Sequence, residues 1–246
     1  MRVTVLGACG AWPEAGQACS GFLVEYDGFR LLVDVGYATV PRLLGLCEAG
    51  DVDAVYVSHG HPDHCADLNP LLRARVLRDD PAGPVAVYAP EGALAAVLAL
   101  DRPGMLASAY TLHEFAAGDR LDIGPFSAST YALPHFKPDA GVRLTAGGRT
   151  LAYTGDTGPS RSIVDLARGA DVFLAEASYV DEVPADTREY LSSARQAGGY
   201  AAEAGVGRLV LTHLMHGVDP DAAREAAAAR YAGDVSVAAP GLVVGL

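Results

Sequence analysis

Three imidazoles and a carboxylate fall within six residues of this 246-residue chain, in the run Ser58-His59-Gly60-His61-Pro62-Asp63-His64. The run follows Ala54 to Val57 (AVYV), a short apolar segment that suits a buried strand. No other feature constrains the fold as much, because the loop puts ligand chemistry at a strand end. Imidazole suits zinc and similar ions, and carboxylate tolerates zinc, manganese or iron. A loop leaving a strand end turns alternate side chains to one spot, so His59 and His61 can share an ion. Asp63 and His64, one step further round, can face a neighbouring one. Gly60 and Pro62 fit a tight, fixed turn. The bland alternative is a solvated polar turn. Three of the chain's seven histidines within six residues weigh against it.

Four ligands do not close two metal sites, so the rest of the chain must supply more. His135 follows the strand-like Ser127 to Leu133 and a proline. Asp156 lies in the turn Gly155-Asp156-Thr157-Gly158, after Leu151 to Thr154. His213 ends the apolar run Leu209 to Thr212. Strand ends of a layered sheet lie along one edge, where loops build sites. Each residue alone reads as an ordinary surface or core group; together with the histidine-rich loop they complete two ligand sets. His113, in the strand-like Thr111 to Phe115, reads as structural, and His216 stands near enough to His213 to touch substrate.

Early strands are expected at Arg2 to Leu6, Gly21 to Tyr26 and Phe29 to Val33, the last two flanking the hairpin signal Asp27-Gly28. Helices are expected over Ala38 to Ala49, Ala66 to Arg78 and Gly92 to Leu100, with a strand at Val85 to Tyr88. From Tyr110 to Arg149 strands and turns dominate, and Gly147-Gly148 closes a hairpin into Leu151 to Thr154. Helix and strand then alternate: Ile163 to Arg168, Val172 to Ala175, Ser193 to Ala204, Leu209 to Thr212, Pro220 to Tyr231 and Val235 to Val237. Val180 to Arg188 is the most loop-like stretch and is placed to overhang a site. This order predicts an α/β fold of two sheets packed face to face with helices outside, in one domain spanning residues 1–246.

Eighteen Lys and Arg against 30 Asp and Glu leave a net charge of −12. So acidic a chain draws long polyanions poorly, which favours a small substrate over large RNA. No apolar run reaches about eighteen residues, so no membrane span is expected. Met1 to Leu6 reads as the start of a strand and not as a leader, which predicts a cytoplasmic protein. The four cysteines, Cys9, Cys19, Cys47 and Cys65, form no CxxC pair and read as buried small thiols, with Cys65 beside the loop histidines.

The ordered set His59-Gly60-His61-Pro62-Asp63-His64, His135, Gly155-Asp156-Thr157 and Leu211-Thr212-His213 resembles the metallo-β-lactamase fold superfamily over nearly the whole chain. The resemblance implies an αββα sandwich of two mixed sheets with a dinuclear site at one edge. It implies that His59, His61 and His135 bind one ion, that Asp63, His64 and His213 bind the other, and that Asp156 bridges them. It also implies that Asp63 orients the nucleophilic water. The ions would be two divalent cations, zinc first, with manganese or iron as alternatives. Such a pair lowers the pKa of a shared water from near 16 towards about 7, giving a bridging hydroxide at neutral pH.

Ala152 to Thr157 (AYTGDT) and Phe173 to Ser178 (FLAEAS) resemble the phosphodiesterase branch, which includes transfer-RNA 3′-processing endonucleases. In those endonucleases a histidine pairs with the glutamate that matches Glu176; here that position is Tyr190. The chain also lacks their Ser and Arg-Tyr after the last ligand, having Leu214-Met215-His216-Gly217, and it lacks a long basic insertion. Leu6-Gly7-Ala8-Cys9-Gly10, His64-Cys65 and Glu176-Ala177-Ser178 are similar to actinobacterial-type members regarded as cyclic-nucleotide phosphodiesterases. The resemblance therefore implies hydrolysis of a small phosphodiester, with Glu176 shuttling a proton or orienting a ligand, Tyr190 and His216 meeting substrate, and a homodimer. Arg143 reads as a solvated strand-face residue. The rival readings are a lactonase or thioesterase of the same fold and a non-catalytic metal-binding module. Seven ligands argue against the module, since structural sites are closed, mononuclear and sulfur-rich.

Overall fold

Hairpin turns and parallel crossovers divide the work of building two sheets. In the computed structural model, which describes Met1 to Leu246, the first half of the chain forms β1 (Arg2–Gly7), β2 (Gly21–Tyr26), β3 (Phe29–Val35), β4 (Ala54–Tyr56), β5 (Val85–Pro90) and β6 (Tyr110–Phe115). They pair in sequence order, antiparallel from β1 to β3 and parallel from β3 to β6. The second half forms β7 (Arg120–Ile123), β8 (Phe126–Leu133), β9 (Asp139–Ala146), β10 (Arg149–Tyr153), β11 (Val172–Glu176), β12 (Arg208–Thr212) and β13 (Asp234–Val237). These run antiparallel to β10 and parallel onwards. A last strand, β14 (Val243–Gly245), returns to the outer side of β1, so each sheet has seven strands. Asp27-Gly28 and Gly147-Gly148 all take positive φ, as two-residue hairpin turns require.

This pattern decides where the strands end. β1, β3 and β4 run one way in the first sheet, and β8, β10, β11 and β12 share a direction in the second. Their C-terminal ends therefore gather at one edge of the sandwich. Three contacts tie the sheets there: the Tyr56 hydroxyl donates to the Ala140 carbonyl (2.8 Å), the Ala140 amide to the Ser58 carbonyl (3.0 Å), and the Tyr153 hydroxyl to Asp34 (2.6 Å).

Three apolar layers hold the sheets. Phe22, Val24, Leu31, Val33, Tyr153 and Leu174 pack between them. The alternate residues Leu23, Leu32 and Val55 face outward onto helices α1 (Thr39–Leu43), α2 (Pro62–Cys65), α3 (Leu68–Val76) and α4 (Ala95–Leu98). Beneath the second sheet lie α5 (Ser162–Ala167), α6 (Ala194–Ala204) and α7 (Pro220–Ala228). Because both faces of each sheet are covered, the central strands read as unbroken apolar runs. The αββα sandwich expected from the sequence is the fold observed. No helix is long and apolar enough to cross a membrane.

Local departures have local causes. The helix expected over Ala38 to Ala49 is α1 alone, followed by turns and a 3-10 turn at Ala49–Asp51. Leu43 is the last buried residue of its face and Leu44 and Leu46 are exposed, so no apolar stripe sustains further helix past Gly45. The histidine loop is shorter than expected, because Pro62 starts α2 at its first position, where a missing N–H costs nothing. The helices expected at Ala66, Gly92 and Pro220 are each trimmed. Ser193 caps α6 with a reciprocal Gln196 bond, and Gly205 ends it in the left-handed region.

Candidate metal centre

The end of β4 delivers His59, His61, Asp63 and His64; the ends of β8, β10 and β12 deliver His135, Asp156 and His213. All seven side chains meet. His61 Nδ1 lies 3.0 Å from both His59 Nε2 and His135 Nε2, and Asp156 Oδ2 lies 3.9 and 3.7 Å from those two nitrogens. On the other side of Asp156, His64 Nε2 is 3.2 Å from Oδ1 and His213 Nε2 is 3.2 Å from Oδ2. Asp63 Oδ2 completes this group, 3.2 Å from His213 Nε2 and 3.7 Å from His64 Nε2. Two four-ligand clusters thus share one carboxylate.

The donor chemistry fits divalent cations. Three ring nitrogens of the first cluster point at one another, and a neutral imidazole has only one proton to offer. In the second cluster His64 Nε2 and Asp156 Oδ1 are buried and face each other without a hydrogen bond. Buried polar atoms left like this normally have a partner of another kind. The charge balance agrees. Burial opposes the charged form of His64, yet Asp156, Asp34 and Asp63 raise its pKa well above the ordinary value. His213 is pushed up to about 9 against the same burial cost, chiefly by Asp156. Burial would raise Asp156, but His213 and His64 hold it well below the usual carboxylate range. Asp156, Asp34 and Asp63 thus favour positive charge at His64 and His213, the charge that bound cations would supply.

Behind the ligands lies a second layer of contacts. Asp34 Oδ2 accepts from His64 Nδ1 (2.7 Å), the Ser58 hydroxyl (2.8 Å) and the Tyr153 hydroxyl (2.6 Å), while Oδ1 accepts from the Ser58 amide (2.7 Å). His59 Nδ1 faces Asp139 Oδ1 and Ser58 Oγ, each at 3.1 Å. His135 Nδ1 donates to the Tyr190 carbonyl (2.9 Å). His213 Nδ1 lies 3.1 Å from Ser178 Oγ, which donates to Glu176 Oε1 (2.7 Å). Such partners fix the tautomer and orientation of ligating imidazoles. Sequence reasoning did not single out Asp34, Asp139 or Ser178. Asp34 had a signal, a lone charge inside the apolar run Leu31-Leu32-Val33-Asp34-Val35.

The backbone is shaped to the site. His213 sits at φ 62°, uncommon for a residue with a Cβ, and its amide donates to the Ala8 carbonyl (2.8 Å). The Ala11 amide donates to Asp63 Oδ2 (2.9 Å). A Cβ at Gly36 would lie 1.8 Å from the Asp63 carbonyl oxygen, so only glycine lets β3 approach α2 so closely.

The remaining sequence candidates lie around this centre. Glu176 is buried and contacts no ligand directly; its carboxylate accepts from the Thr157 amide, the Ser178 hydroxyl and the Ser192 amide, and burial pushes its pKa up to about 8. Tyr190 packs its ring against Phe136 at a tilt of 33°, centroids 4.3 Å apart. His216 is exposed, pairs with Glu14 and leans on Trp12. His113 stacks on Tyr88 in the first sheet, away from the site. Arg143 is not free in solvent: it donates to the Leu166 and Arg168 carbonyls and caps the end of α5. All four cysteines are free thiols, and Cys65 packs into the core beneath the first sheet. Val180 to Arg188 is irregular as expected, and it leads directly to Tyr190.

A family model described as beta-lactamase superfamily domain matches residues 13–214. A Bacillus subtilis protein named "Probable metallo-hydrolase YhfI" is 30% identical over 250 residues, covering 99% of each chain. The crystal structure of YhfI superposes with a TM-score of 0.90 over 99% of both chains. A ribonuclease Z of Haloferax volcanii is 28% identical over 297 residues, covering 98% of this chain and 93% of its own length. A diphosphatase from the PhnP family shares the fold at a TM-score of 0.79 and 17% identity, covering 100% and 97% of the two chains.

Proposed function

The chain belongs to the beta-lactamase superfamily and is a metal-dependent hydrolase, and we propose that it cleaves a small phosphodiester of the cyclic-nucleotide kind with two divalent cations, zinc first, at its centre. The observation that carries this reading is the shared carboxylate, since Asp156 belongs to both ligand clusters. Divalent cations held there would supply Lewis acidity towards a phosphoryl oxygen and would lower the pKa of a water towards about 7. His59, His61, His135 and Asp156 would hold one ion, and Asp63, His64, Asp156 and His213 the other.

The chain's own residues then have separate tasks. Asp63 is fixed by the Ala11 amide and kept ionised: burial favours its neutral form, but His64 and His213 hold it far below the ordinary carboxylate value. In this reading it orients the attacking water as a hydrogen-bond acceptor. Glu176 acts as a positioning residue, reaching His213 through Ser178. Tyr190 positions His135 through its carbonyl, and in this reading Tyr190 and His216 meet incoming substrate. The net charge of −12 and the absence of a long basic insertion favour a small substrate over RNA. A cytoplasmic setting belongs to the same reading.

Metal analysis of the purified protein, followed by a screen of cyclic nucleotides, model phosphodiesters and acyl lactones, tests this. We expect about two equivalents of transition metal and phosphodiester turnover. Less than one equivalent, or turnover of lactones alone, overturns it.

A further inference from the structure

Only three of the chain's Phe, Tyr and Trp side chains are largely exposed: Trp12 (49%), Tyr37 (37%) and Phe136 (53%). All three stand one residue from a group that packs on the metal centre. Trp12 follows Ala11, whose amide binds Asp63. Tyr37 follows Gly36, which lies against the Asp63 backbone. Phe136 follows His135 and packs at a tilt against Tyr190. Large aromatic rings left in water cost free energy unless something covers them, and here all three adjoin segments that touch the metal ligands instead of scattering over the surface. Trp12 and Phe136 adjoin different ligand clusters: Trp12 follows the residue whose amide binds Asp63 and its ring lies 5.9 Å from that of His216, while the Phe136 ring lies 5.3 Å from that of His135.

The same rim carries an unusual charge. Lys137 is the only lysine in a chain with 18 basic residues and a net charge of −12. Its ammonium donates to the Gly60 carbonyl (3.2 Å), inside the His59–His64 loop. Lysine is a compact, mobile point charge that suits a phosphate approached from solvent.

We infer that the rim is a nucleobase platform, in which Trp12 stacks the base of a mononucleotide and Lys137 engages its phosphate, with Phe136 and Tyr190 closing the other side. The ligand chemistry is a planar heteroaromatic ring joined to a phosphate. Stacking on an aromatic side chain tolerates any base, so this platform selects nucleotides from other phosphodiesters without fixing which base. The inference rests on the phosphodiesterase reading for its substrate, but its binding test does not depend on turnover.

Trp12 is the only tryptophan, so the tryptophan emission of the metal-loaded protein, excited where the eleven tyrosines do not absorb, reports this position alone. Adenosine 5′-monophosphate should quench it at concentrations at least about tenfold below those at which ribose 5-phosphate acts, the margin expected of one stacked base. Turnover is then compared for thymidine 5′-(p-nitrophenyl phosphate) and methyl p-nitrophenyl phosphate, which share a leaving group and a charge. The wild type should prefer the nucleoside ester. Trp12→Ala should cut the ratio of the two kcat/KM values by about tenfold, and Lys137→Gln should raise KM for both esters while leaving their ratio. Quenching without turnover of either ester would overturn the phosphodiesterase reading and leave the platform standing. Equal quenching by the two phosphates, or an ester ratio unmoved by Trp12→Ala, would overturn the platform.

Discussion

Asp34 offers a way to perturb one metal position without touching a ligand. Its Oδ2 receives three donors, from His64 Nδ1, the Ser58 hydroxyl and the Tyr153 hydroxyl. In Asp34→Asn one carboxylate oxygen becomes an amide NH2. Oδ1 must go on accepting from the Ser58 amide at 2.7 Å, so the new NH2 takes the Oδ2 position and faces the three donors. The two hydroxyls can rotate and accept. The imidazole can accept at Nδ1 only by moving its proton to Nε2, the atom that points at Asp156 and must stay bare to bind a cation. Loss of such a partner costs about 10–100-fold in metal affinity, which is about 1.4–2.8 kcal/mol. Any donor left unsatisfied in this buried place adds about 1–3 kcal/mol of lost folding stability. The assay is zinc titration against a chromogenic chelator, with thermal unfolding alongside. The cluster of Asp63, His64, Asp156 and His213 should weaken while the other keeps its affinity. Wild-type affinity at both positions in a folded Asp34→Asn protein would refute the claim that Asp34 sets the His64 tautomer.

Metal affinity should rise with pH between 7 and about 9, because burial-opposed but carboxylate-favoured protons on His213 and His64 must leave before a cation binds; zinc addition at pH 7 should release protons, seen with an indicator dye. In chelator-treated protein, Glu176 is raised by burial from 4.5 to about 8, so its contribution to stability is present below pH 4.5 and is lost as pH rises through 8. The Tm difference between wild type and Glu176→Gln should therefore shift against the wild type across that window, and a constant difference would contradict it. Gly36→Ala places a methyl 1.8 Å from the Asp63 carbonyl oxygen and should lower Tm by about 4 °C or more, measured by calorimetry. Chelators should strip the His59–His61–His135 cluster first, since it contains the half-buried His61 while every member of the other cluster is buried; a single-phase loss of all metal would count against this.

Much of the site could be read from residue order because its ligands sit where apolar runs stop. His59 follows Ala54–Val57 and His213 follows Leu209–Thr212, so the strand pattern itself flagged the ends. Parallel strands then carry those ends to one edge, which is a property of topology and not of any single residue. Hairpins were legible for a similar reason: Asp27-Gly28 and Gly147-Gly148 advertise the positive φ they adopt. Helix lengths were not. Apolar spacing continues past Leu43 and Val97, but Leu46 and Leu100 find no surface to cover, and a helix held by packing stops where packing stops.

The supporting layer was hidden by a different mechanism. Asp139 gains its role only because β9 begins beside the end of β4, bringing it to His59 across 80 residues of chain, and nothing in Lys137-Pro138-Asp139-Ala140 announces that meeting. Ser178 likewise matters only because β11 and β12 pair in parallel, which sets Glu176 opposite Thr212 and so brings the serine to His213. Asp34 is the exception that could have been found. A carboxylate inside a strand buried on both faces is too costly to leave unpaired, so its presence demanded a cationic or donor partner at that depth. Histidines were the available partners, and the one it holds, His64, is the ligand whose free nitrogen lies opposite Asp156.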